Sequence, residues 1–465
     1  GNVAIGANAL DAEDDGDYNT AIGHQALTAQ TGTSGTVSNT AVGYQAGVAI
    51  TKGRYNTIIG KGALKVEDVG DETTAVGVDA LGSQNSDSDN EITGNVGVGK
   101  DTGYYNVTGQ NNTWVGYKAG AGASGQSNGD NTAVGKDALL SVTTGSNNSI
   151  LGGLAGDAIT TGNNNCFIGY AAGGASTDVD GAVAIGLYAM RSGNVTSAAD
   201  GTIAIGQNAL DALTSGAGNV AVGYEALDAV TTGGNNVAIG YQAMDSVVAA
   251  TEQCIAIGKD ALGGTQSTNA CNRNIAIGHQ TIAGNGNNMV DNIAIGVDAL
   301  NDLTTGDKNM AIGNYALDAE QDGSDNIAIG YNAMTTSNSV NAIRNVAVGN
   351  SALEDLSGST ESCTAVGYQA GMNISTGEYN SCFGGNSGDT LTTGGSNTML
   401  GYGTDAVAGA EGQVAIGANC FAVDVNNTVT IGNADVTAVY MAQDSGAVVH
   451  CSGVNFPDTQ AASGD

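Results

Sequence analysis

Eight tyrosines, Tyr44, Tyr117, Tyr170, Tyr224, Tyr241, Tyr331, Tyr368 and Tyr402, each stand directly after a glycine in a recurring phrase. Aromatic rings set along one line of a molecule can stack on the sugars of a cell-surface glycan. They can also pack along an edge for stability alone, which is the plainer role. A different chemistry is offered by the acidic run that holds Asp11, Glu13, Asp14, Asp15 and Asp17. Asp11, Asp14, Asp15 and Asp17 are dense enough to hold Ca2+, but they lack a recognised ligand spacing. Catalysis finds less support. His24, His279 and His450 are far apart in the chain, whereas Cys-His or Ser-His chemistry needs its partners in one place. With 46 acidic residues, chance carboxylate pairs of the kind that cleave glycosidic bonds are inevitable. The chain therefore reads as a non-enzyme with no resident cofactor.

The tyrosines take their meaning from the phrase that carries them. Asn-Val-Ala-Ile-Gly-x-x-Ala-Leu, with variants, recurs 25 times at steps of 15 to 22 residues, the commonest step being 17. Copies occupy residues 2–10, 19–27, 131–139, 219–227, 292–300 and 326–334. So short a period means one unit stacked on itself, because each unit exposes a face that only the next copy can bury. Counted from the central glycine, the position four before it is Asn in 18 units and the position two before it is Ala in 17. The position one before is a large apolar residue throughout, and the position three before is mostly Val, Ile or Thr.

A short β-branched run closed by glycine predicts a strand of about five residues. A period of two places the large apolar positions on one face and Asn, Ala and Gly on the other. After the glycine come two variable residues, expected to face solvent, and then Ala and Leu, expected to form a second strand. A polar Gly-, Thr-, Ser- and Asn-rich link leads to the next Asn. The reading is an all-β chain, a parallel β-roll or β-solenoid of about 25 short coils over residues 1–432. Residues 433–465 form a non-repeat, β-rich cap or junction with a polar tail. Equivalent Asn amides about 4.8 Å apart would hydrogen-bond as a ladder, and the stack would make a rod of roughly 120 Å.

The Asn/Ala/Gly face is small rather than charged, which predicts close contact with another backbone, so that both faces are buried. One coil encloses little volume of its own. The chain is therefore expected to assemble with copies of itself, three around a common axis being the simplest closed solution.

Composition narrows the partners. The 46 acids face 12 bases, for a net charge of -34. Nucleic acid and anionic membranes need clustered Lys and Arg, and no such cluster is present. The acidity reads as solubility for a surface-rich rod, with divalent cations as the sharper alternative. Seventy-four glycines against a single proline, Pro457, suit tight turns that keep every ladder donor. Seven cysteines without a CxxC pair read as small buried hydrophobes. No apolar stretch is long enough to insert in a membrane. The longest links, such as residues 82–94 with Asp87, Asp89 and Glu91, are either tolerated insertions or contact loops. Thr40, Thr57, Thr74 and Thr132 share a repeat position as an ice-binding face would require, but Val and Ile replace Thr there through the middle of the chain.

The repeated Asn-x-Ala-Ile-Gly or Asn-x-Ala-Val-Gly phrase resembles the head repeats of YadA-like trimeric autotransporter adhesins, and the related repeats of bacteriophage tail fibres. The resemblance covers residues 2–432 and implies a left-handed parallel β-roll intertwined as a homotrimer. It also implies an extracellular location, on a virion tail or a cell surface, and a glycan or protein receptor on a host cell. The commonest step of 17 is longer than the family's usual repeat, and the heptad stalk and barrel anchor of an autotransporter are not visible. Both departures favour the fibre over the head of a bacterial adhesin or a self-assembling filament. The runs 436–441 and 446–450 resemble the junction that precedes a self-cleaving chaperone domain in some phage fibres.

Overall fold

Each Asn-x-Ala-x-Gly phrase makes one three-residue strand, from Val3–Ile5 through Thr132–Val134 and Ile293–Ile295 to Val429–Ile431. The computed structural model describes all residues except 32–34, 194, 248–250, 265–270, 285–287, 337–341, 359, 438 and 440–465. Twenty-five strands pair as one parallel sheet. The register is that of the repeat, with Ala204 beside Ala221 and Ala221 beside Ala238. Outside this sheet lie the short pair Gly16–Asp17 with Gly35–Thr36 and one 3-10 turn, Ser197–Ala199. The chain is thus a parallel β-solenoid. The expected cap over residues 433–465 lies almost wholly outside the described residues.

The run after the glycine is not a second strand. Its second and fourth residues adopt the left-handed conformation, as in Gln25 (φ 59°) and Leu27 (φ 49°), or Asp137 (φ 54°) and Leu139 (φ 53°). Such residues carry a steric penalty of order 1 kcal/mol each. Here the turn they make is what closes so short a coil. The rung-to-rung ladder continues through them: Gln25 N donates to Ala7 O at 3.0 Å, and Leu27 N donates to Ala46 O at 3.1 Å.

The small face lies inside the coil of the same chain. Ala204, Ala209 and Leu210 are fully buried together with Leu213 from the link. That last position, seven after the central glycine, is an inward column that also holds Ile50, Val142, Ile159, Val230 and Leu303. Alanine is therefore common because the coil is narrow. The expectation that a neighbouring backbone covers this face is not met. Volume is conserved across adjacent rungs as close packing demands. Where Trp114 replaces the inward Ala, its own coil carries Gly120 and the preceding coil Gly103 in place of Leu, and a Cβ on Gly120 would sit 2.1 Å from Trp114 Nε1. Phe167 is matched by Gly173 in the same way.

The buried Asn column joins rung to rung and strand to link. Asn148 Oδ1 accepts from the backbone N–H of Asn165 at 3.1 Å, and its Nδ2 donates to the link carbonyl of Gly162 at 2.9 Å. Amide-to-amide bonds occur as well, such as Asn165 Nδ2 to Asn148 Oδ1 at 3.0 Å. Cysteine can take the same place. Cys254 Sγ accepts from Asn274 N at 3.4 Å and donates to Cys271 O at 3.1 Å.

The large apolar residues point outward. Ile239, Ile257, Ile295, Val366, Phe383 and Leu400 are all exposed, and their neighbours in the same columns are half-buried. The rod thus carries an unbroken apolar strip along its sheet. Among the described residues, no helix is long and apolar enough to cross a membrane.

Two substitutions test this interior. Asn148→Ala leaves the N–H of Asn165 and the C=O of Gly162 buried without partners, at about 1–3 kcal/mol for each group. Hydrogen exchange should accelerate at the adjacent rungs and remain unchanged near Ile293–Ile295, because coupling in a solenoid is nearest-neighbour. Trp114→Ala opens a cavity flanked by two glycines and should destabilise the fold by about 3–5 kcal/mol in denaturant titration.

Candidate contact surface

The sheet ends on a column of glycines whose φ values lie near +140°, as in Gly43 (143°), Gly223 (146°) and Gly367 (143°). A Cβ on Gly223 would sit 2.1 Å from the carbonyl oxygen of Gly240 in the next rung, so no other residue fits. The conformation turns the following residue out of the coil. All eight tyrosines at that place are exposed, from Tyr224 at 37% to Tyr402 at 64%. The structure brings Tyr44, Tyr117, Tyr170, Tyr224, Tyr241, Tyr331, Tyr368 and Tyr402 into a single column, as the repeat requires.

The column also holds Lys61, Lys100, Lys136, Lys259, His24 and His279. His24 stacks on Tyr44 with centroids 5.5 Å apart, and Tyr224 stacks on Tyr241 at 5.1 Å. Lys100 and Lys118 lie over the Tyr117 ring at 5.7 and 5.4 Å, and Lys259 lies over Tyr241 at 5.9 Å. Each of three lysines also meets the aspartate that follows it: Lys100–Asp101 at 3.3 Å, Lys136–Asp137 at 2.9 Å and Lys259–Asp260 at 2.6 Å. Such exposed pairs contribute little stability, but they neutralise the cations where they stand. The Lys136 ammonium is held above its ordinary pKa by its hydrogen bond to Asp137.

A cavity of about 510 Å³ opens beside Asp101, Tyr104, Tyr105, Lys118, Leu140 and Ser141. Tyr104 and Tyr105 meet edge to face at 4.7 Å, and Lys65 Nζ lies 3.2 Å from the Tyr104 hydroxyl. The sequence reading did not single out these two tyrosines. They fall in a link, outside the recurring phrase, and the one signal was their adjacency just after Gly103.

The acidic run is not gathered round a point. Asp11, Asp14, Asp15 and Asp17 are exposed. Asp17 meets the N-terminal ammonium at 3.2 Å, while Glu13 turns inward to accept from Gly16 N at 2.5 Å and Asn19 Nδ2 at 3.3 Å. Among the described residues, no group of three or more His, Cys, Asp or Glu side chains is placed to hold a metal ion. Cys254, Cys271, Cys363, Cys382 and Cys420 are buried and unbridged. Burial pushes the Cys254 thiol up to about 11 and Cys382 up to about 12. His24 and His279 sit on distant rungs, and His450 lies outside the described residues.

Carboxylates do stack further along the rod. Burial, and then the neighbouring charges of Asp211, Glu225 and Asp245, raise Asp228 to about 6. Burial with Asp298 and Asp302 raises Asp318 to about 6. Asp405 is raised as well, first by burial and then by its hydrogen bond with Asp389.

No protein-family model and no curated protein sequence matches the chain.

Because Asp228 and Asp318 titrate near 6 in the folded chain and near 3.8 when free, the folded state holds protons that the unfolded state has already released between those values. Stability contributed by these groups therefore falls as pH rises through that window. The melting temperature should be higher near pH 5 than near pH 7. An Asp228→Asn, Asp318→Asn variant should show a smaller difference between the two, measured by circular dichroism. An equal difference in variant and parent would assign the pH dependence to other acids.

Proposed function

We propose that the chain forms the shaft of an elongated extracellular fibre, a bacteriophage tail fibre, which assembles from three copies and presents its tyrosine column to a glycan or protein receptor on a host cell. The observation that carries this reading is the outward strip of Val, Ile and Thr along the sheet. A monomeric soluble protein rarely leaves so long a contiguous apolar surface uncovered. Copies of the same rod match it in length and spacing rung for rung, and a closed ring of copies covers every strip without leaving one free. The resemblance of the repeated phrase to trimeric head and fibre repeats supports the same count.

The strip also supports a mechanical role. Twenty-five rungs at about 4.8 Å make a rod of roughly 115 Å. Each strand is bonded on both sides by strands of the same chain, so bending the rod strains many parallel ladders at once. A receptor-facing column on such a shaft is held at fixed spacing and fixed orientation. The commonest step of 17 residues favours the fibre over the shorter repeats of a bacterial adhesin head.

The native mass decides the assembly. Light scattering should give three times 45.7 kDa, with thin rods of about 115 Å in negative stain. Ile295→Glu, in the middle of the strip, should reduce the mass to one chain while the circular dichroism of the sheet persists. A monomer in the parent protein would overturn the shared-strip assembly, and open-ended filaments would replace it with end-to-end growth.

A further inference from the structure

The tyrosine column changes character near the C-terminal end of the rod. Its last six occupied places before the final rung are Tyr331, Asn350, Tyr368, Gly385, Tyr402 and Ala418. The adjoining column holds Asn332, Ser351, Gln369, Asn386, Gly403 and Asn419. None of these twelve residues is charged, in a chain of net charge -34 whose same two columns carry Lys61, Asp79, Lys100, Asp101, Lys136, Asp137, Lys259 and Asp260 elsewhere. The two columns are locked in register. Ser351 N donates to Tyr331 O at 2.9 Å, Asn386 N to Tyr368 O at 2.8 Å, and Asn419 N to Tyr402 O at 2.7 Å.

Tyrosine therefore recurs on every second rung, with a small or amide-bearing residue between. Two rungs span about 10 Å. Tyr331, Tyr368 and Tyr402 are exposed by 50%, 58% and 64%, which includes the two most exposed of the eight. Tyr402 leans over Gly385, where a Cβ would lie 3.4 Å from Cδ2 and 3.7 Å from Cε2. A Cβ at Gly385 would be in ordinary contact with that ring. The arrangement is a flat aromatic step, an amide step and another aromatic step, repeated along the axis.

We infer that this strip, Tyr331 to Tyr402, binds an uncharged β-1,4-linked polysaccharide that lies extended along the rod. The inference rests on the contact-surface reading above and names its ligand class. An extended β-1,4-linked chain is a flat two-fold ribbon, so the same face of a sugar recurs on every second residue, at close to the two-rung distance. Each tyrosine can then stack on an equivalent sugar face. Amides of Gln369 and Asn386 stand beside them to meet equatorial hydroxyl or acetamido groups. An α-linked chain coils and loses this register after one contact. A polyanionic glycan would be repelled by the rod, and no cation stands in the strip to hold it. Glucose and N-acetylglucosamine polymers share this ribbon chemistry.

The test uses the full-length chain with cellohexaose, chitohexaose and maltohexaose as probes in titration calorimetry. The expected result is binding of one or both β-linked probes, and none of the α-linked maltohexaose. Chitohexaose alone would assign the amides to acetamido groups, and equal binding would assign recognition to the ribbon. Tyr331→Ala, Tyr368→Ala and Tyr402→Ala together should weaken binding roughly tenfold or more. The three Tyr→Phe changes should restore it, while Tyr18→Ala and Tyr55→Ala together, at exposed tyrosines outside the column, should leave it unchanged. Binding that survives the first triple change, equal affinity for maltohexaose, or no binding of either β-linked probe overturns the inference. Adhesion of the labelled protein to cells, read on the same variants, separates the two levels. Adhesion that is undiminished by a triple change that abolishes oligosaccharide binding sustains the glycan strip and places the host contact elsewhere on the rod. Oligosaccharide binding by a protein that adheres to no cell sustains the strip and removes the host-contact role.

Discussion

The fold depends on a column of buried amides that runs through most of its coils. In the 18 coils that carry it, Asn at the head of the strand can bond along the axis and across the coil at once, through its carbonyl to the next rung's N–H and through its NH2 to its own link, as Asn56 does with Thr73 N and Gly70 O. A buried polar group without partners costs about 1–3 kcal/mol, so where the amide is present its two bonds tie strand to link and rung to rung together. This is why the link can vary in length while the strand register does not. The step of 22 residues that contains residues 82–94 still ends with Asn95, whose Nδ2 donates to Gly109 O at 2.7 Å. The extra residues settle outside, where Lys52 meets Asp89 and Arg54 meets Asn90.

Where Asn is replaced, some replacements keep its bond to the link, whereas Ala182 has no polar side chain and Thr202 Oγ1 is buried without a hydrogen-bond partner. Gln413 Nε2 donates to the link carbonyls of Val423 at 2.7 Å and Val425 at 3.0 Å, in the place of the Asn NH2. Cys363 Sγ donates to Gly377 O at 3.1 Å, in the place of an amide NH2. The cysteines at these places are thus weak hydrogen-bonding substitutes in a closed interior. Their raised pKa values follow from the same burial and keep them in the thiol form that donates.

Much of this was legible in the sequence because one residue type at one spacing has one physical use. The strand followed from β-branching closed by glycine, and the parallel stack followed from the period. Solvent exposure of the tyrosines followed from the variability of their position. Two things were not legible. Alternation in a strand says which residues share a face and not which face is inside, so Ala133, Ala238, Ala311 and Ala365 suggest a contact between backbones although they line their own coil. Only the size exchange between Trp114 and Gly120, or between Phe167 and Gly173, reveals the direction, because within one coil the glycine yields the volume that the ring takes. The second strand was misread for a related reason. Ala-Leu after two polar residues has strand-like alternation, but Leu27 and Leu139 sit at positive φ, a conformation that leucine occupies only when its side chain is held by the core it fills.

The same geometry connects interior to surface. Because the small residues face inward, the β-branched ones are displaced to the outside, and the rod cannot satisfy both faces by itself. Because glycine must end each strand for the rungs to approach, the next residue is forced outward at every turn, whatever its type. The interior therefore generates two continuous exterior lines, one apolar and one free to vary. The first line is nearly uniform along the rod, which suits contact with copies of the same rod. The second varies from Lys and His to Tyr and Asn without touching the core. A ligand that repeats along its own length can meet several such positions at once, and each further contact is intramolecular once the first is made. A globular pocket gains affinity by enclosing a ligand; a solenoid of this kind gains it by matching a period.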